Sequence, residues 1–374
     1  MVKVALDFSA GIAQPAGIGR YVRELVRELG SLLRHDLVLW YGRPSGHCYG
    51  TPPATTTNRA LPLSETWLTR LWHRLRFPLP VELVTGEVDL VHGPNFLVPP
   101  ARAPRLVTIH DLSFLLVPEL GHPRLVRFLS NTVPRMLREV DAIITVSEAV
   151  RQDLLRLYHI APNRIFAIPH GVSSLFAPIP MEERRPVLAS FGLRDPYVIA
   201  VGTIEPRKGY PVLIRAIELA ATQLPDLQLV VVGSTGWLAE RIEAALLEAE
   251  RRGWLVRFRS IGDSTLATLY SGAAAFVTAS YYEGFNLPLL EAMACAAPVI
   301  ATDLPAHREV AGDAALFVPI DAPHELAEAI LTVLMNGSLR ERLSRAARER
   351  ARSFTWRQSA EQHLEVYRQF ARRS

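Results

Sequence analysis

Cysteine is scarce in this chain of 374 residues, and the scarcity excludes two kinds of structure. Cys48 and Cys295 lie in different halves of the sequence and have no C-x-x-C partner, so they form neither a disulfide framework nor a zinc site. Long apolar runs are missing too, because no stretch of about 18 apolar residues runs without a charge. The apolar run at the N-terminus is too short for a secretory signal. We therefore expect a cytoplasmic protein.

Lysine is nearly absent as well. Among 41 basic residues only Lys3 and Lys208 are lysines. A compact ammonium group differs physically from a planar guanidinium, so Lys208 is either there by chance or at a point where a concentrated charge is needed. The net charge of +4 is modest and gives no reason to expect a nucleic-acid partner.

Short Val/Ile-rich runs alternate with helix-period segments through most of the chain. This alternation is typical of parallel sheets covered by helices on both faces, and the length favours about two domains. We predict a clear helix over residues 17–33. The predicted strands are residues 2–8, 37–42, 88–93, 105–111, 141–147 and 164–170, and then 197–203, 227–234, 256–262, 274–280, 298–303 and 315–319.

The alternation stops at residues 173–195, where prolines, serines and a charge cluster predict a linker. Residues 1–172 then form an N-terminal domain and residues 196–355 a C-terminal domain. Residues 356–374 form a final helix with an apolar stripe, which must pack on another element.

Open parallel sheets bind ligands at the carboxyl ends of their strands, so the loops that follow the strands are of most interest. The loop SAGIAQPAGIGRY at residues 9–21 leads into the clearest helix. Gly17 and Gly19 permit either an anion site at the helix N-terminus or an ordinary flexible turn. The loop matches neither the G-x-G-x-x-G fingerprint nor the phosphate loop of nucleotide-binding proteins.

Two later loops carry charge. In GTIEPRKGYP, residues 202–211, Arg207 and Lys208 precede a helix predicted to begin near Pro211, which favours a diphosphate site over a solvated surface pair. In YYEGFNLPLLEAMACAAPVIA, residues 281–301, Glu283 ends a strand and Glu291 lies about one turn into a helix. Glu291 suits either a ribose diol or the positive end of the helix dipole. We expect bare N–H groups around Asn286, Leu287 and Leu289 to point at phosphate oxygens.

These segments together resemble the retaining glycosyltransferases of family 4, also called glycosyltransferase group 1. The resemblance covers nearly the whole chain and includes GIGRY, TIHDLSF, TVSEAVRQDL, GTIEPRKG, EGFNLPLLEAMACAAPVI and a closing FTW. It implies the GT-B fold of class α/β: two Rossmann-like doubly wound domains that face each other across a cleft, and a C-terminal helix that crosses back to the N-terminal domain. It also implies that residues 1–172 bind the acceptor and that residues 196–355 bind the nucleotide sugar. The TIHDLSF and GTIEPRKG variants are most similar to the bacterial mannosyltransferase branch.

The resemblance also implies residue roles. Glu283 lies against the transferred sugar, and Glu291 binds the ribose. The implied catalytic residues are His110, Arg207, Lys208 and Glu283, while the neighbouring Asp111 stays unassigned. The implied donor-binding residues are Gly17, Gly19, Arg207, Lys208, Ile261, Asp263, Glu283, Gly284, Phe285, Asn286, Leu287 and Glu291, with the base expected near Ile261 to Asp263.

Two residues depart from the family pattern. Asn286 stands where EGFG would have a second glycine, and Ala296 stands where ACG-x-P is commoner. Asparagine tolerates unusual backbone angles and caps helices, so we expect the backbone to absorb the first change. Its side chain is nonetheless expected near the donor sugar, where it bears on which sugar is accepted.

The implied reaction is transfer of a hexose, with retention, from a nucleotide diphosphate sugar to a hydroxyl of a glycan or lipid-linked acceptor in surface polysaccharide synthesis. The branch resemblance favours GDP-mannose as donor. No D-x-D pair or H-E-x-x-H motif occurs, so we expect neither a metal nor another cofactor. A GT-B nucleotide-sugar epimerase or hydrolase and a non-catalytic nucleotide-sugar-binding protein remain as alternatives.

The stretch LPLSETWLTRLWHRLRFPLP, residues 61–80, mixes aromatic residues with arginines. A segment of this kind either lies on an anionic membrane surface, here the inner face of the cytoplasmic membrane, or is an ordinary helix that packs on the sheet. Neither interpretation makes the protein transmembrane.

Overall fold

The computed structural model describes residues 2–15, 17–44 and 46–372. Within these residues, thirteen strands form two sheets in which every pairing between neighbouring strands is parallel. The chain divides into two compact units, each built around one sheet. The first unit comprises the residues up to Leu112, Arg127–Gly171 and the residues from Thr355 onward, and the second comprises Ser113–Val126 and Val172–Phe354.

The first sheet has the strand order β3-β2-β1-β4-β5-β6-β7. Its strands are β1 Val4–Asp7, β2 Leu37–Arg43, β3 Thr57–Ser64, β4 Leu90–Gly93, β5 Arg105–Ile109, β6 Ala142–Thr145 and β7 Ile165–Ala167. The second sheet has the order β10-β9-β8-β11-β12-β13. Its strands are β8 Tyr197–Val201, β9 Gln228–Val232, β10 Leu255–Phe258, β11 Ala275–Thr278, β12 Val299–Thr302 and β13 Ala315–Val318.

Sixteen α-helices cover the two sheets within the described residues. In chain order they are α1 Ser9–Ala13, α2 Ile18–Leu33, α3 Glu65–Thr69, α4 Glu82–Thr85, α5 Ser113–Leu116, α6 Pro123–Glu139, α7 Glu148–Leu157, α8 Met181–Ser190, α9 Tyr210–Ala220, α10 Glu240–Arg251, α11 Asp263–Gly272, α12 Leu287–Ala294, α13 Pro305–Ala311, α14 Pro323–Met335, α15 Gly337–Ala351 and α16 Trp356–Phe370.

All twelve predicted strands are present, because each coincides with a mainly apolar run. Most of these runs are buried in their sheets, whereas β7, β10 and β13 are partly half-buried. The sequence did not predict β3. This strand pairs with β2 at the edge of the first sheet, and its residues are exposed or half-buried. An edge strand needs no continuous apolar run and tolerates Pro62, so β3 lacks the pattern that identified the others.

Both sheets have a point at which the strand order reverses. In the first sheet β1 lies between β2 and β4, and in the second sheet β8 lies between β9 and β11. Loops at the carboxyl ends of the two strands that flank such a point diverge and leave a crevice, where open α/β sheets bind ligands. The loops after β1 and β4 and those after β8 and β11 are therefore the positions that the fold prepares for ligands.

The predicted linker region has structure of its own. Residues 181–190 form helix α8, and residues from Val172 onward belong to the second unit. The side chain of Arg184 donates to the carbonyl of Ser271 at 2.6 Å, which ties α8 to α11.

The C-terminal helix α16 crosses back to the first unit, as predicted, where it packs on α2. The His363 Nδ1 donates to the Ser359 carbonyl at 2.7 Å, so its Nε2 is free to accept from the Tyr21 hydroxyl at 3.0 Å. The Tyr367 hydroxyl lies 2.7 Å from His92 Nδ1. These buried polar contacts fix the position of the helix on the sheet in addition to its apolar stripe.

Among the described residues, no helix combines the length and the apolar character needed to cross a bilayer.

Candidate functional site

The turn that follows β8 brings two cations to the end of β11. Arg207 and Lys208 lie in a 3-10 turn, Pro206–Lys208, and α9 begins directly afterwards with Pro211 in its first turn, as predicted. Gly209 connects them with φ +66°, and a Cβ at this position would lie 2.0 Å from the Ala279 carbonyl oxygen. Only glycine permits this approach, so Gly209 is what lets the cationic turn sit against β11.

The carboxylate of Glu283 is the centre of the resulting cluster. It accepts from Lys208 Nζ at 2.6 Å and from Arg207 Nη1 at 3.0 Å. The Ser280 hydroxyl donates a third bond at 2.8 Å. The Glu283 side chain is 5% exposed and the two cations are 16% exposed each. The structure therefore brings together three of the four predicted catalytic residues.

Glu205 is a fourth charged member of the cluster, and the sequence analysis missed it. Its carboxylate lies 2.8 Å from Arg207 Nη2, and its side chain is 2% exposed. Arg207 also donates to the Tyr282 carbonyl at 2.9 Å. Glu205 stands two residues before Arg207 in GTIEPRKG, and an acidic residue so close to a predicted phosphate-binding cation was the signal that could have identified it.

The charges around Glu283 decide whether its carboxyl group is ionised. Burial alone would raise the pKa of its carboxyl, but Lys208 and then Arg207 outweigh burial and lower the pKa to about 2. Burial dominates at Glu205, whose pKa is raised although Arg207 and Lys208 oppose the effect. Glu283 is therefore an anion at every physiological pH and has no proton to donate.

The loop after Glu283 ends at the N-terminus of α12. Asn286 adopts a left-handed conformation with φ 76°, and its side-chain oxygen accepts from the Leu289 N–H at 3.3 Å. The expectation that the Leu289 N–H is bare is therefore wrong, because the asparagine cap occupies it. The N–H groups of Asn286 and Leu287 donate no hydrogen bond within residues 2–15, 17–44 and 46–372, which leaves them available to an anion.

Both departures from the family glycines have left-handed backbone. Asn286 has φ 76° and Ala296 has φ 61°. Asparagine accepts this region readily, whereas alanine is strained there. The Asn286 side chain is 7% exposed and points into the protein, where its Nδ2 lies 2.9 Å from His307 Nε2. Its side chain is therefore committed to an internal contact.

Glu291 lies in the middle of α12, beyond the first turn, which contains no acidic residue. Stabilisation of the helix dipole is therefore a poor explanation for it, since that effect is confined to the first turn. The Glu291 side chain is buried, and the Tyr270 hydroxyl donates to its Oε2 at 3.4 Å. The assignment to a ribose diol stays a prediction.

The other predicted donor residues fall at several places in the fold. Gly284, Phe285 and Leu287 are buried beside Glu283, and Phe285 packs edge-on against Phe354 with ring centroids 6.0 Å apart. Asp263 begins α11, and Ile261 is half-buried just before it. Their role in holding the base stays a prediction.

Gly17 and Gly19 lie in the first unit at the start of α2. Gly17 precedes the helix with φ 56°, and a Cβ on Gly19 would lie 2.1 Å from the Gln14 carbonyl oxygen. Both positions therefore require glycine for the turn itself, and the structure gives no contact that distinguishes an anion site from a tight turn.

His110, the fourth predicted catalytic residue, lies at the end of β5 in the first unit. Its Nε2 donates to the Pro94 carbonyl at 2.7 Å, and its ring packs edge-on against Tyr21 with centroids 5.0 Å apart. Burial lowers the pKa of His110 to about 4, although the Pro94 contact and Asp111 oppose the shift. The ring is therefore neutral at physiological pH, with Nδ1 as its hydrogen-bond acceptor.

A cavity of about 70 Å³ lies at the order reversal of the first sheet. Asp7 ends β1 beside it, and the indole rings of Trp40 and Trp72, which meet at 84° with centroids 5.5 Å apart, form part of its wall. Burial raises the pKa of Asp7 to about 7 and also raises the pKa of Glu65, which lines the same cavity. Two carboxylates and aromatic surface form a site that the sequence analysis did not identify.

In the part of the chain that the structure describes, no group of three or more His, Cys, Asp or Glu side chains is arranged to hold a metal ion.

Comparison with known proteins identifies the family. Residues 15–174 match the family described as Glycosyltransferase Family 4, and residues 185–350 match Glycosyl transferases group 1. The O-antigen chain mannosyltransferase B of Escherichia coli is 30% identical over 364 residues, which cover 94% of this chain and 96% of that protein. The chain belongs to the GT-B glycosyltransferases of family 4 and group 1, as the sequence motifs predicted.

Solved structures confirm the fold. Sucrose-phosphate synthase from Thermosynechococcus elongatus has a TM-score of 0.77 and 24% identity, with 98% of each chain covered. The Anabaena protein Alr3699/HepE, solved with UDP and glucose, has a TM-score of 0.75 and 17% identity, with 98% of this chain and 99% of that chain covered. The α/β class and the GT-B architecture are therefore established.

Glu283→Gln tests the role of the central carboxylate. The side-chain shape and one acceptor oxygen remain, but the cluster of two cations and two anions gains one positive charge. We expect a nucleoside diphosphate to bind as tightly as before or more tightly, while sugar transfer falls by about 10²- to 10³-fold because the carboxylate no longer stabilises positive charge at the sugar. Calorimetric titration and steady-state kinetics measure the two effects. The exposed Glu325→Gln is the matched control, and a parallel loss of binding and turnover would contradict the assignment.

Proposed function

We propose that this glycosyltransferase moves a hexose, with retention, from a nucleotide diphosphate sugar to a hydroxyl of a glycan or lipid-linked acceptor in surface polysaccharide synthesis. GDP-mannose is the donor that we propose, because the full-length relative from Escherichia coli is named as an O-antigen chain mannosyltransferase. The observation that carries the proposal is the buried cluster of Arg207, Lys208 and Glu283 at the order reversal of the second sheet.

The cations and the start of α12 suit a departing diphosphate. Arg207 and Lys208 supply charge, and the N–H groups of Asn286 and Leu287 supply neutral donors at the positive end of a helix. We propose that these groups hold the diphosphate without a divalent ion, so that the enzyme is metal-independent and has no cofactor. Glu291 would bind the ribose, and Ile261 and Asp263 would lie beside the base.

The hydrogen bonds that Glu283 already accepts limit the part that it can play in the reaction. Lys208, Arg207 and Ser280 already donate to its carboxylate, so it is poorly placed to attack the sugar as a nucleophile. We propose instead that the bond from the anomeric carbon to the diphosphate breaks first and its electron pair leaves with the phosphate oxygen. The acceptor oxygen then bonds to the anomeric carbon on the same face, and its proton passes to the departing phosphate. Glu283 stabilises the positive charge on the sugar during this step.

The donor is tested by ligand-induced stabilisation followed by turnover. A ligand that binds only the folded protein stabilises it, by about 2.7 kcal/mol when its concentration is about 100 times its Kd. At equal concentrations the nucleotide that binds most tightly therefore raises the melting temperature most, and we expect this nucleotide to be GDP rather than UDP or ADP. With GDP-mannose and a mannoside acceptor, the new linkage should keep the α configuration of the donor in the NMR spectrum, in buffer with EDTA.

Preferential stabilisation by UDP would contradict GDP-mannose as the donor and would assign uracil as the base. Rapid consumption of the donor without acceptor would favour an epimerase or hydrolase. Loss of turnover in EDTA, with recovery on adding magnesium, would contradict the metal-independent scheme.

We propose that the first unit binds the acceptor and that an edge of the acceptor sugar enters the cavity beside Asp7. A volume of about 70 Å³ accommodates several hydroxyl groups rather than a whole hexose. Carboxylates accept from neighbouring hydroxyls, and Asp7 keeps one oxygen bound to the Ser9 N–H at 2.8 Å, which fixes its orientation. His110 would line the reaction centre from the same unit.

Asp7→Asn tests the acceptor cavity. Because the pKa of Asp7 is about 7, the wild-type carboxylate ionises between about pH 6 and 8, and the KM for acceptor should fall over this range as a stronger hydrogen-bond acceptor forms. The variant should lose this pH dependence and show a KM for acceptor about tenfold higher at pH 8. The KM for donor should not change, and a change in the KM for donor alone would contradict the assignment.

The variant should also fold. A carboxyl group with a raised pKa keeps its proton in the native state where the unfolded chain has lost it, so its contribution to stability falls as the pH rises from about 4 to 7. Replacement by a neutral amide removes this penalty, and the melting temperature at pH 8 should be equal or higher.

The stretch of residues 61–80, predicted either to lie on a membrane surface or to pack on the sheet, has a buried side and an exposed side. Leu68 and Trp72 are buried against the first unit, whereas Trp67, Leu75 and Phe77 are 57%, 71% and 51% exposed. Arg74 and Arg76 are exposed beside them, and Arg70 lies over the Trp67 ring at 5.1 Å. We propose that this outer face, defined here as Trp67, Arg70 and residues 74–77, contacts an anionic membrane surface that carries the acceptor.

Vesicle sedimentation tests the membrane face. The wild-type protein should bind vesicles that contain phosphatidylglycerol and not vesicles of phosphatidylcholine alone, because each arginine near an anionic surface contributes about 1 kcal/mol. Arg74→Glu with Arg76→Glu should weaken binding by about tenfold or more. The matched control is Arg345→Glu with Arg348→Glu on α15. Equal loss in both double variants, or no binding by the wild type, would contradict a specific membrane face.

A further inference from the structure

The loop that carries Glu283 is tied to the neighbouring strand as well as to the cations. The Thr302 hydroxyl, at the end of β12, donates to the Ser280 carbonyl at 2.7 Å. His307, in the helix α13 that follows β12, meets Asn286 at the other end of the loop. The two ends of the loop, residues 280 and 286, are therefore both held from the segment of residues 302–307.

The hydrogen bonds of His307 define its protonation. Its Nδ1 lies 2.8 Å from the Thr302 carbonyl oxygen, which can only accept, so Nδ1 carries a proton. Its Nε2 lies 2.9 Å from Asn286 Nδ2, which can only donate, so Nε2 has a lone pair. If the side-chain amide of Asn286 were flipped, its oxygen would face His307 Nε2 and its NH₂ group would face the Leu289 N–H. Both hydrogen bonds would then be lost, including the helix cap in which Asn286 Oδ1 accepts from the Leu289 N–H. The ring is neutral, with its proton on Nδ1.

The Asn286 contact reaches Glu283 through side chains. Asn286 Nδ2 also lies 3.4 Å from Thr278 Oγ1, and Thr278 Oγ1 lies 3.2 Å from Ser280 Oγ. Ser280 Oγ donates to Glu283 at 2.8 Å. His307 is 0% exposed, and this chain of contacts, together with its contact with the Thr302 carbonyl, links it to the loop that carries Glu283.

Hydrogen bonds also hold the backbone of Asn286. Its left-handed conformation, φ 76° and ψ 71°, is one that asparagine adopts more readily than most residues with a side chain. It is still less common than the right-handed region, so contacts of the side chain help to keep it. The bonds from Asn286 to His307 and to Leu289 are the contacts that do so, and they set the direction of the N–H groups at the start of α12.

We propose that His307 is a positioning residue for this glycosyltransferase. Its neutral ring accepts from Asn286 and thereby fixes the loop that presents Glu283 and the N–H groups of Asn286 and Leu287 to the donor. The inference rests on the proposed role of Glu283 in sugar transfer.

Protonation of the ring would break the arrangement. A proton on Nε2 would face the Asn286 NH₂ group, and two donors cannot share a hydrogen bond. The charged groups near His307 are Glu283, Lys208 and Asp303. Burial lowers the pKa of His307 although Glu283 favours the charged form, so the ring stays neutral over the physiological range and the contact with Asn286 is kept.

Two substitutions separate positioning from bulk packing. His307→Leu fills similar space but leaves the Asn286 NH₂ group without an acceptor, whereas His307→Gln can place its Oε1 near the position of Nε2 and accept from Asn286. The exposed His324 on α14 provides the matched control His324→Leu. The first readout is hydrogen exchange of peptides that cover residues 280–294, measured on the full chain without substrate.

In His307→Leu, exchange in this segment should become about tenfold faster, as expected for the loss of one buried hydrogen bond, and peptides elsewhere in the second unit should be unchanged. With GDP-mannose as the probe, kcat should fall by about 100-fold and the KM for donor should change little, because the groups are displaced rather than removed. His307→Gln should recover most of the exchange protection and of kcat. His324→Leu should behave as the wild type.

Wild-type exchange in His307→Leu would overturn the proposal. So would faster exchange throughout the second unit with equal losses in the Leu and Gln variants, since that result describes a general packing role. If the wild type does not turn over GDP-mannose, the failure belongs to the donor assignment, and the exchange measurement alone decides the role of His307.

Discussion

The structure of the site depends on one buried carboxylate that is held between two cations. Placing the Glu283 charge in a protein interior costs several kcal/mol, and the cost is offset only when the partners are close and well aligned. Lys208 at 2.6 Å and Arg207 at 3.0 Å meet this condition, and Ser280 satisfies a further lone pair. Two features provide this geometry. Gly209 lets the turn that carries the cations approach the Ala279 carbonyl closely, and the contacts from Thr302 and His307 hold the loop that carries Glu283.

The same ion pairs also set the net charge of the site before a donor binds. Arg207 and Lys208 are matched by Glu205 and Glu283, so the cluster is neutral before any substrate binds. In the function proposed above, a diphosphate would add negative charge to the cluster and would compete with Glu283 for the cations. Neutral N–H groups at the start of α12 therefore matter, because they add favourable potential without needing a further counter-ion.

Much of the fold was predictable because its signals are local. Most of the twelve predicted strands are buried on both faces and have apolar sequences, and Pro211 correctly marked the first turn of α9. The edge strand β3 was missed, since its exposed residues carry no such run. The direction of the Asn286 side chain was also unpredictable, because its partner His307 lies 21 residues further on in a different element.

The sequence by itself determined that the chain forms two parallel α/β sheets, that it belongs to a glycosyltransferase family, and that Arg207, Lys208 and Glu283 are the residues to examine. Each of these follows from short-range patterns and motifs. Only the tertiary structure decided that Glu205 balances Arg207, that Asn286 turns inward to His307, and that Asp7 and Glu65 share a cavity. The last two pairings join residues that separate strands and helices carry to a common sheet edge, whereas Glu205 and Arg207 share one turn that the fold buries. In each case the free energy of burying a charge or a polar group is fixed by the neighbours that the fold supplies.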